Sequence, residues 1–578
     1  MRRWISARST SRVGAALAAS ATLVALSSVG TPASGSEDPV DGRVHLNLSG
    51  SALMLQGLAS AGALGGGAID NKTCTSSGTP SADIDLSCDD PISPEDETPI
   101  VVDPANPDHL LAGSNDYHLT FKGSTLQARI PTGFFVSFDG GATWTDGQIP
   151  MGSGAGGGNG DPSPAFNRKF GTAHMAQLNA SCTSVGNTGN CGSLSVSVAT
   201  SRDGGRTWAQ PVTVAQGRGS ITPSPNAVFN DKEWLTADND PGSPFYGRMY
   251  LTWSRFALDR GAYVESPIYL STSDDGGRSW TAGRPISGSN PAVCTFQTSG
   301  PAGVCDEDQF SVPVVLPDGT VAVHFQNNQH QAAWETPDEA ESTIMVVRST
   351  DGGATWSAPV PVADLEDGGI DNGNAGADYP INVDGRATQT GHQFRTQSVQ
   401  GMTADPVTGR LYVFWTDNRD GVRDTAEPVT HTNVFVATSA DRGATWSAPI
   451  RVTSGPADKW MPWAAAHDGK LAVGYMDGTA DYPTRDTYGF TIATSTDDGA
   501  TWSYQSASTA QSDPDHSLWF RAGVAGCVEC SRFIGDYNGL AMDSQGRVHA
   551  TWADQRRVAT VAALDRTGTP GDVYYARR

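Results

Sequence analysis

The sequence predicts an all-β fold built from repeats, and three observations carry that reading. The first is the eight-residue stretch Ser349-Thr-Asp-Gly-Gly-Ala-Thr-Trp356, which is written six times. The other copies are Ser137–Trp144, Ser201–Trp208, Ser273–Trp280, Ser439–Trp446 and Ser495–Trp502, all fitting Ser-x-Asp-x-Gly-x-(Thr/Ser)-Trp. The second is that each copy sits between short alternating apolar runs, such as Asn433–Ser439 before and Trp446–Val452 after. That pattern is strand, tight turn, strand. The third is the spacing, with the repeated aspartates at 139, 203, 275, 351, 441 and 497. A recurring unit of this size fixes an architecture before any single residue is interpreted.

The repeat itself is a folding device. Its aspartate can accept bonds from turn amides, its glycines supply positive φ, and its tryptophan offers an apolar face to a neighbouring unit. It contains neither a nucleophile nor a metal cage.

These copies resemble the Asp-box (BNR) repeats of the sialidase superfamily, over roughly residues 96–578. The resemblance implies a β-propeller. Two further strand candidates precede each box; in one unit they are Ser398–Ala404 and Arg410–Thr416. Each blade therefore reads as four antiparallel strands, a to d, with the box on the c–d turn. Blades begin near Glu97, Asp161, Asp231, Asp308, Arg395 and Trp460. After the sixth box the pattern resumes with Phe533–Ala541, Gly546–Trp552 and Asp572–Ala576, and the sequence ends where another box would start. The expected fold is a seven-bladed β-propeller of four-stranded antiparallel blades, six of them with an Asp box. Propellers hide open edges, so the lead-in is expected to supply the outer strand of blade 7.

The ends and the composition set the setting. Arg2, Arg3, Arg8 and Arg12 precede an Ala/Leu/Val run and then small residues, which reads as a signal peptide over 1–36. Residues 37–95 form a Gly/Ala/Ser/Asp-rich lead-in, in which Val44–Leu48 is a candidate for pairing with the ring. No later stretch reaches the roughly 20 apolar residues of a membrane span. The protein is expected to be secreted, extracellular and monomeric. Its net charge of −24 argues against nucleic acid as a partner. The eight cysteines sort into Cys74/Cys88, Cys182/Cys191, Cys294/Cys305 and Cys527/Cys530, which in an exported chain read as disulfides. Cys527-Val-Glu-Cys530 has a redox or zinc pair as its alternative reading. No other metal or cofactor is expected, apart from a structural Ca²⁺ in the loop from Asp364 through Asp371, Asn374, Asp378 and Asp384; a solvated acidic loop is the alternative.

Function is expected on the face that carries the starts of strand a and the ends of strand b, opposite the boxes. There the sequence places Glu97, Asp161, Asp231-Lys-Glu-Trp234, Asp306-Glu-Asp308, Arg395, Asp458-Lys-Trp460 and Asp536-Tyr537. The ends of b add Arg255, Arg419, Asp477 and Arg556. Carboxyls that move protons, arginine forks and aromatic faces are what a sugar site needs. Asp536, Tyr537, Glu233, Asp231, Glu307 and Asp308 are the catalytic candidates. Tyr537 is the tyrosine, Glu233 or Glu307 its base, and Asp231 or Asp308 the acid. Arg395, Arg419, Arg556, Arg255, Lys232, Lys459 and Trp460 are the substrate-binding candidates, with the first three as a clamp on an acidic group. Inter-blade salt bridges are the competing reading of the charged members.

Sialidases share a Phe/Tyr-Arg-Ile-Pro motif opening the first blade, an arginine triad on the substrate carboxylate, a tyrosine–glutamate pair and an aspartate. This chain departs from that pattern. Its Ala128-Arg-Ile-Pro131 stands eight residues before Ser137, at strand c of blade 1, and strand a opens with Glu97-Thr-Pro-Ile100. The resemblance implies a carbohydrate-active enzyme that hydrolyses terminal glycosidic bonds of extracellular glycans. A non-catalytic glycan- or protein-binding propeller and a polysaccharide lyase are the alternatives.

Overall fold

The computed structural model describes residues 73–578 apart from 89–91, 123–124, 152–158, 181, 186–187, 220–223, 261, 296–299, 331–340, 368–378, 381, 383–386, 422–428, 519–531 and 563–565. The Val44–Leu48 pairing, the Cys527/Cys530 pair and most of the Asp364–Asp384 loop lie outside those residues.

Seven antiparallel sheets follow one another around a ring. Blade 3 shows the order: Ala227–Ala237 (a), Met249–Asp259 (b), Ile268–Ser273 (c) and Arg284–Pro285 (d), each hydrogen-bonded to the next. Strand a is innermost. It touches strand a of the next blade all the way round, including Gly539–Met542 of blade 7 against Ile100–Asp103 of blade 1. The core therefore lies between blades. Tyr412 and Phe414 of blade 5, Trp463 and Phe490 of blade 6, and Trp552 of blade 7 form one continuous buried cluster.

Six c–d turns share one hydrogen-bond pattern. In the fourth, Asp351 Oδ1 accepts from Thr355 N at 2.8 Å and Oδ2 from the Thr355 hydroxyl at 2.6 Å. Ser349 Oγ accepts from Gly353 N at 2.8 Å. The glycine two residues after the aspartate is pressed against the preceding blade. At Gly141 (φ 89°) a Cβ would lie 2.1 Å from the Tyr575 hydroxyl of blade 7, so only glycine fits.

Blade 7 obtains its outer strand from the lead-in: Ile84–Asp85 pairs with Tyr574–Tyr575 of Asp572–Arg577. A second lead-in strand, Cys74–Ser77, adds a further outer strand to blade 1 against Thr143–Gln148. Disulfides join Cys74 to Cys88 and Cys294 to Cys305. The backbones at Cys182 and Cys191 face each other across a hairpin. Among the described residues no helix is long and apolar enough to cross a membrane.

Hairpins decorate the b–c connections on the face opposite the repeated turns. One of them, His118–Lys122 with Thr125–Arg129, corrects a sequence expectation. Arg129 ends this inserted hairpin, and strand c begins only at Thr132.

Candidate functional site

A backbone step repeated around the axis positions the site. In blade 3 the register shifts between Asp231 and Trp234, so that Lys232 and Glu233 are bulged out of the a–b ladder. Blades 4 and 6 do the same between Gln309 and Val312 and between Trp460 and Trp463. The first bulged residue is left-handed in each case: Lys232 (φ 56°), Phe310 (φ 55°) and Met461 (φ 49°). Glu97 (φ 54°) and Asp161 (φ 52°) repeat the conformation just ahead of strand a in blades 1 and 2. For residues other than glycine this conformation costs about 1–3 kcal/mol each, and such outliers concentrate where side-chain placement matters.

The result is a buried ionic hub on the axis. Lys232 Nζ is bonded to Asp536 and lies 3.9 Å from Asp161 and 4.0 Å from Glu97. Arg395 Nε donates to Asp536 Oδ1 at 2.7 Å, and its Nη2 reaches Oδ2. Blades 1, 2, 3 and 7, and the segment leading into blade 5, meet at this point. Asn115 tightens it, donating to Asp96 Oδ1 and Glu97 Oε2, both at 2.8 Å, and accepting from Asp161 N at 2.7 Å.

The hub sorts its carboxyls into two kinds. Burial pushes Asp536 up, but Arg395 and Lys232 outweigh it and hold the group well below the usual carboxylate range. Elsewhere desolvation wins. It raises Glu97 to about 7 and Asp161 and Glu233 well above their ordinary values. Lys232 also loses hydration, but Asp536, Glu97 and Asp161 keep it charged.

A cavity opens beside the hub. Asp161, Lys232, Glu233, Asp536 and Tyr537 are its polar lining; Trp234, Trp463, Phe310 and Val312 supply the apolar walls, with Ser311 between. The Trp234 ring lies 4.7 Å from that of Trp463, tilted to it, and meets Tyr537 edge-on at 5.4 Å. Both Glu233 carboxyl oxygens are buried with no hydrogen-bond partner beyond its own backbone among the described residues. Tyr537 donates its hydroxyl to the Pro162 carbonyl at 3.1 Å, and burial raises that phenol well above its ordinary value.

Asp536, Tyr537, Glu233 and Lys232 thus come together, with Arg395 one contact away. Asp231 sits at the base of the bulge, where Oδ1 accepts from Lys232 N at 3.0 Å. The remaining candidates are placed elsewhere. Asp308 is buried in blade 4, accepts from Asn327 at 2.7 Å and is raised to about 8 by burial. Glu307, beside it, does not line the cavity; its backbone bridges to Ser266.

The expected three-arginine clamp is not assembled, because two of its members are satisfied locally. Arg419 Nε donates to Asp417 at 2.8 Å, and Arg556 Nε to Asp554 at 2.8 Å. The same aspartates accept from Trp415 Nε1 at 3.0 Å and Trp552 Nε1 at 2.9 Å. Trp-x-Asp-x-Arg is thus a clamp at the end of strand b in blades 5 and 7. Arg255 faces Glu265 at 3.5 Å. Lys459 donates to the carbonyls of Ser454 (3.0 Å) and Ala457 (2.8 Å), and Trp460 is packed between Phe394 and Tyr488. Glu97 and Asp161 belonged to the polar ring read from sequence but had no role there. Their position at the start of strand a is the signal, and the left-handed backbone just ahead of that strand accompanies their place at the hub.

No protein-family model and no curated protein matches the sequence. Solved structures do align with it. A protein of unknown function from Dyadobacter fermentans is 13% identical, with a TM-score of 0.40, over 74% of this chain and 96% of its own. A leech intramolecular trans-sialidase complexed with 2,7-anhydro-Neu5Ac is 11% identical, with a TM-score of 0.39, over 72% of this chain and 68% of its own. A Hadza microbial sialidase is 15% identical, with a TM-score of 0.38, over 78% of this chain and 72% of its own.

Proposed function

We propose that this is an exported carbohydrate-active propeller that hydrolyses terminal glycosidic bonds of extracellular glycans, in the manner of sialidase-like enzymes. The observation supporting it is that one cavity holds two carboxyls with opposite shifts, Asp536 below its ordinary range and Glu233 above it. Such a pair divides the labour of glycoside hydrolysis. Glu233, kept protonated by burial, gives its proton to the departing glycosidic oxygen. Asp536, kept ionised by Arg395 and Lys232, faces the developing positive charge at the anomeric carbon. Trp234 and Trp463 cover the apolar face of the sugar, and Tyr537 offers a hydroxyl in place of its bond to Pro162. The two disulfides fit an exported protein.

The test is release of fluorophore from an aryl sialoside by the purified protein, beside aryl glycosides and polyuronates. Glycoside turnover abolished in both Glu233→Gln and Asp536→Asn supports the assignment. Turnover that survives both substitutions removes it, and turnover of polyuronates alone replaces hydrolysis by a lyase.

A second reading is supported by burial. Glu97, Asp161, Lys232, Glu233, Arg395, Asp536 and Tyr537 are all less than 10% exposed. A hub so enclosed suits a ring-locking role in a propeller that binds glycans or proteins through its loops. Silence across the panel by a folded protein favours that reading.

A further inference from the structure

The lead-in lies across the one seam where the chain does not continue from blade to blade. Cys74–Ser77 pairs with the outer strand of blade 1, and Ile84–Asp85 pairs with blade 7. Between them the segment is tied to both blades and to the end of blade 6. Gly78 N donates to the Ala142 carbonyl at 3.1 Å and Arg577 N to the Pro80 carbonyl at 2.7 Å. Asp83 accepts from Thr509 N at 2.7 Å and lies 2.6 Å from Arg556. Cys88 N then returns to blade 1, donating to Asp146 at 3.1 Å, and its sulfur bonds Cys74.

Residues 74–88 are therefore a covalently closed loop laid over the seam. Its effect on the repeat is visible at the first box: Trp144, under Cys74–Ser77, is 1% exposed, whereas its five counterparts are half-buried. It also grips the segment that leads to the hub. Ser87 donates to Glu95 at 2.8 Å, two residues before Glu97. The two disulfides differ in access, because Cys88 is exposed while Cys294 and Cys305 are each 1% exposed.

We propose that the Cys74–Cys88 loop is a redox-released clasp that holds the seam between blades 7 and 1 closed, and with it the junction of Glu97 with Lys232 and Asp536. The co-reactant is a dithiol. One of its thiolates attacks the exposed Cys88 sulfur and Cys74 leaves as thiolate. The second thiol of the reductant then displaces Cys88, so both cysteines end as thiols and the dithiol as a cyclic disulfide. Without the covalent link, the two short lead-in strands keep their ladder bonds, the Asp83–Arg556 ion pair and the buried side chains of Ile84 and Leu86, and against these the chain entropy released on detachment favours their departure.

The experiment is hydrogen exchange by mass spectrometry on the folded protein before and after mild dithiol treatment, with alkylation reporting which cysteines have opened. A Cys74→Ser/Cys88→Ser variant is followed in parallel without reductant. The expected result is exchange at least about tenfold faster in Thr143–Gln148 and Asp572–Arg577, with little change in blades 3 to 5. Acrylamide quenching should rise in the wild-type fluorescence and not in Trp144→Phe. Unchanged exchange in both strands, once Cys74 and Cys88 are alkylated, overturns the proposal. If the serine variant does not fold, reduction of the already folded wild type carries the same test.

Discussion

Lys232 and Asp536, 304 residues apart in sequence, are bonded to each other across the propeller axis, one from blade 3 and one from the start of blade 7. Arg395 grips the other side of the same carboxylate. The contact converts a ring of blades, each touching only its neighbours, into a structure with a central tie.

Asp536→Asn should therefore be costly. It leaves Lys232 and Arg395 buried against a neutral amide, and breaking a buried ion pair from one side costs about 3–5 kcal/mol. Urea unfolding at pH 7 measures it. Because Asp536 is depressed, its stabilisation exists above the unfolded carboxylate range and is lost as pH falls below about 4. The wild type should show that acid limb and the variant should lack it.

Glu97 has the opposite sign. Its folded value of about 7 stands above the ordinary 4.5 because burial disfavours the charge. The folded state then holds a proton that the unfolded chain has released, so stability declines as pH rises from about 4.5 to 7 and is level beyond. The decline is on the order of 3 kcal/mol. Glu97→Gln, which is always neutral, should flatten that part of the profile in melts taken at pH 5 and pH 8.

The tryptophans of the six repeated turns should not be equivalent. Trp144→Ala removes a fully buried indole that packs edge-on against Tyr575 at 4.8 Å, and should cost about 3–5 kcal/mol. Trp446→Ala, at a half-buried copy of the same position, should cost clearly less. Equal losses in chemical denaturation would contradict the covering of blade 1 by the lead-in.

Arg419→Ala should lower stability by about 1–3 kcal/mol, since it strips the charged partner from the buried Asp417. The same substitution should leave any KM for an anionic glycan unchanged, because Arg419 is spent within its own clamp. A raised KM with unaltered stability would return Arg419 to substrate binding.

The fold was legible because its signal is repeated and local. A serine, an aspartate, a glycine and a tryptophan close one turn by bonds within five residues, and the unit recurs six times. The site was legible only as a zone. Which polar residues converge depends on a two-residue bulge at the start of strand a, and nothing in the spelling of Asp231-Lys-Glu-Trp234 announces that its register shifts. Arg419 and Arg556 misled for a related reason. At the ends of b strands they look poised for a ligand, yet an aspartate two residues earlier already satisfies each of them, and that aspartate is fixed by a tryptophan two residues before it. Arg129 misled because an inserted hairpin cannot be told from a longer strand c by alternation alone.

The lead-in strand beside the chain end makes the point at which this ring opens a matter of chain order rather than geometry. Strand a of blade 7 meets strand a of blade 1 as any neighbours do, and Gly141 seats against Tyr575 as the later turns seat against their preceding blades. Arg578 already donates to Ser81, so the end of the chain and the lead-in lie side by side. A circular permutant that joins them and opens instead at the exposed a–b turn of blade 5, around Val407, would keep every inter-blade contact while moving the ends of the chain to the far side of the ring.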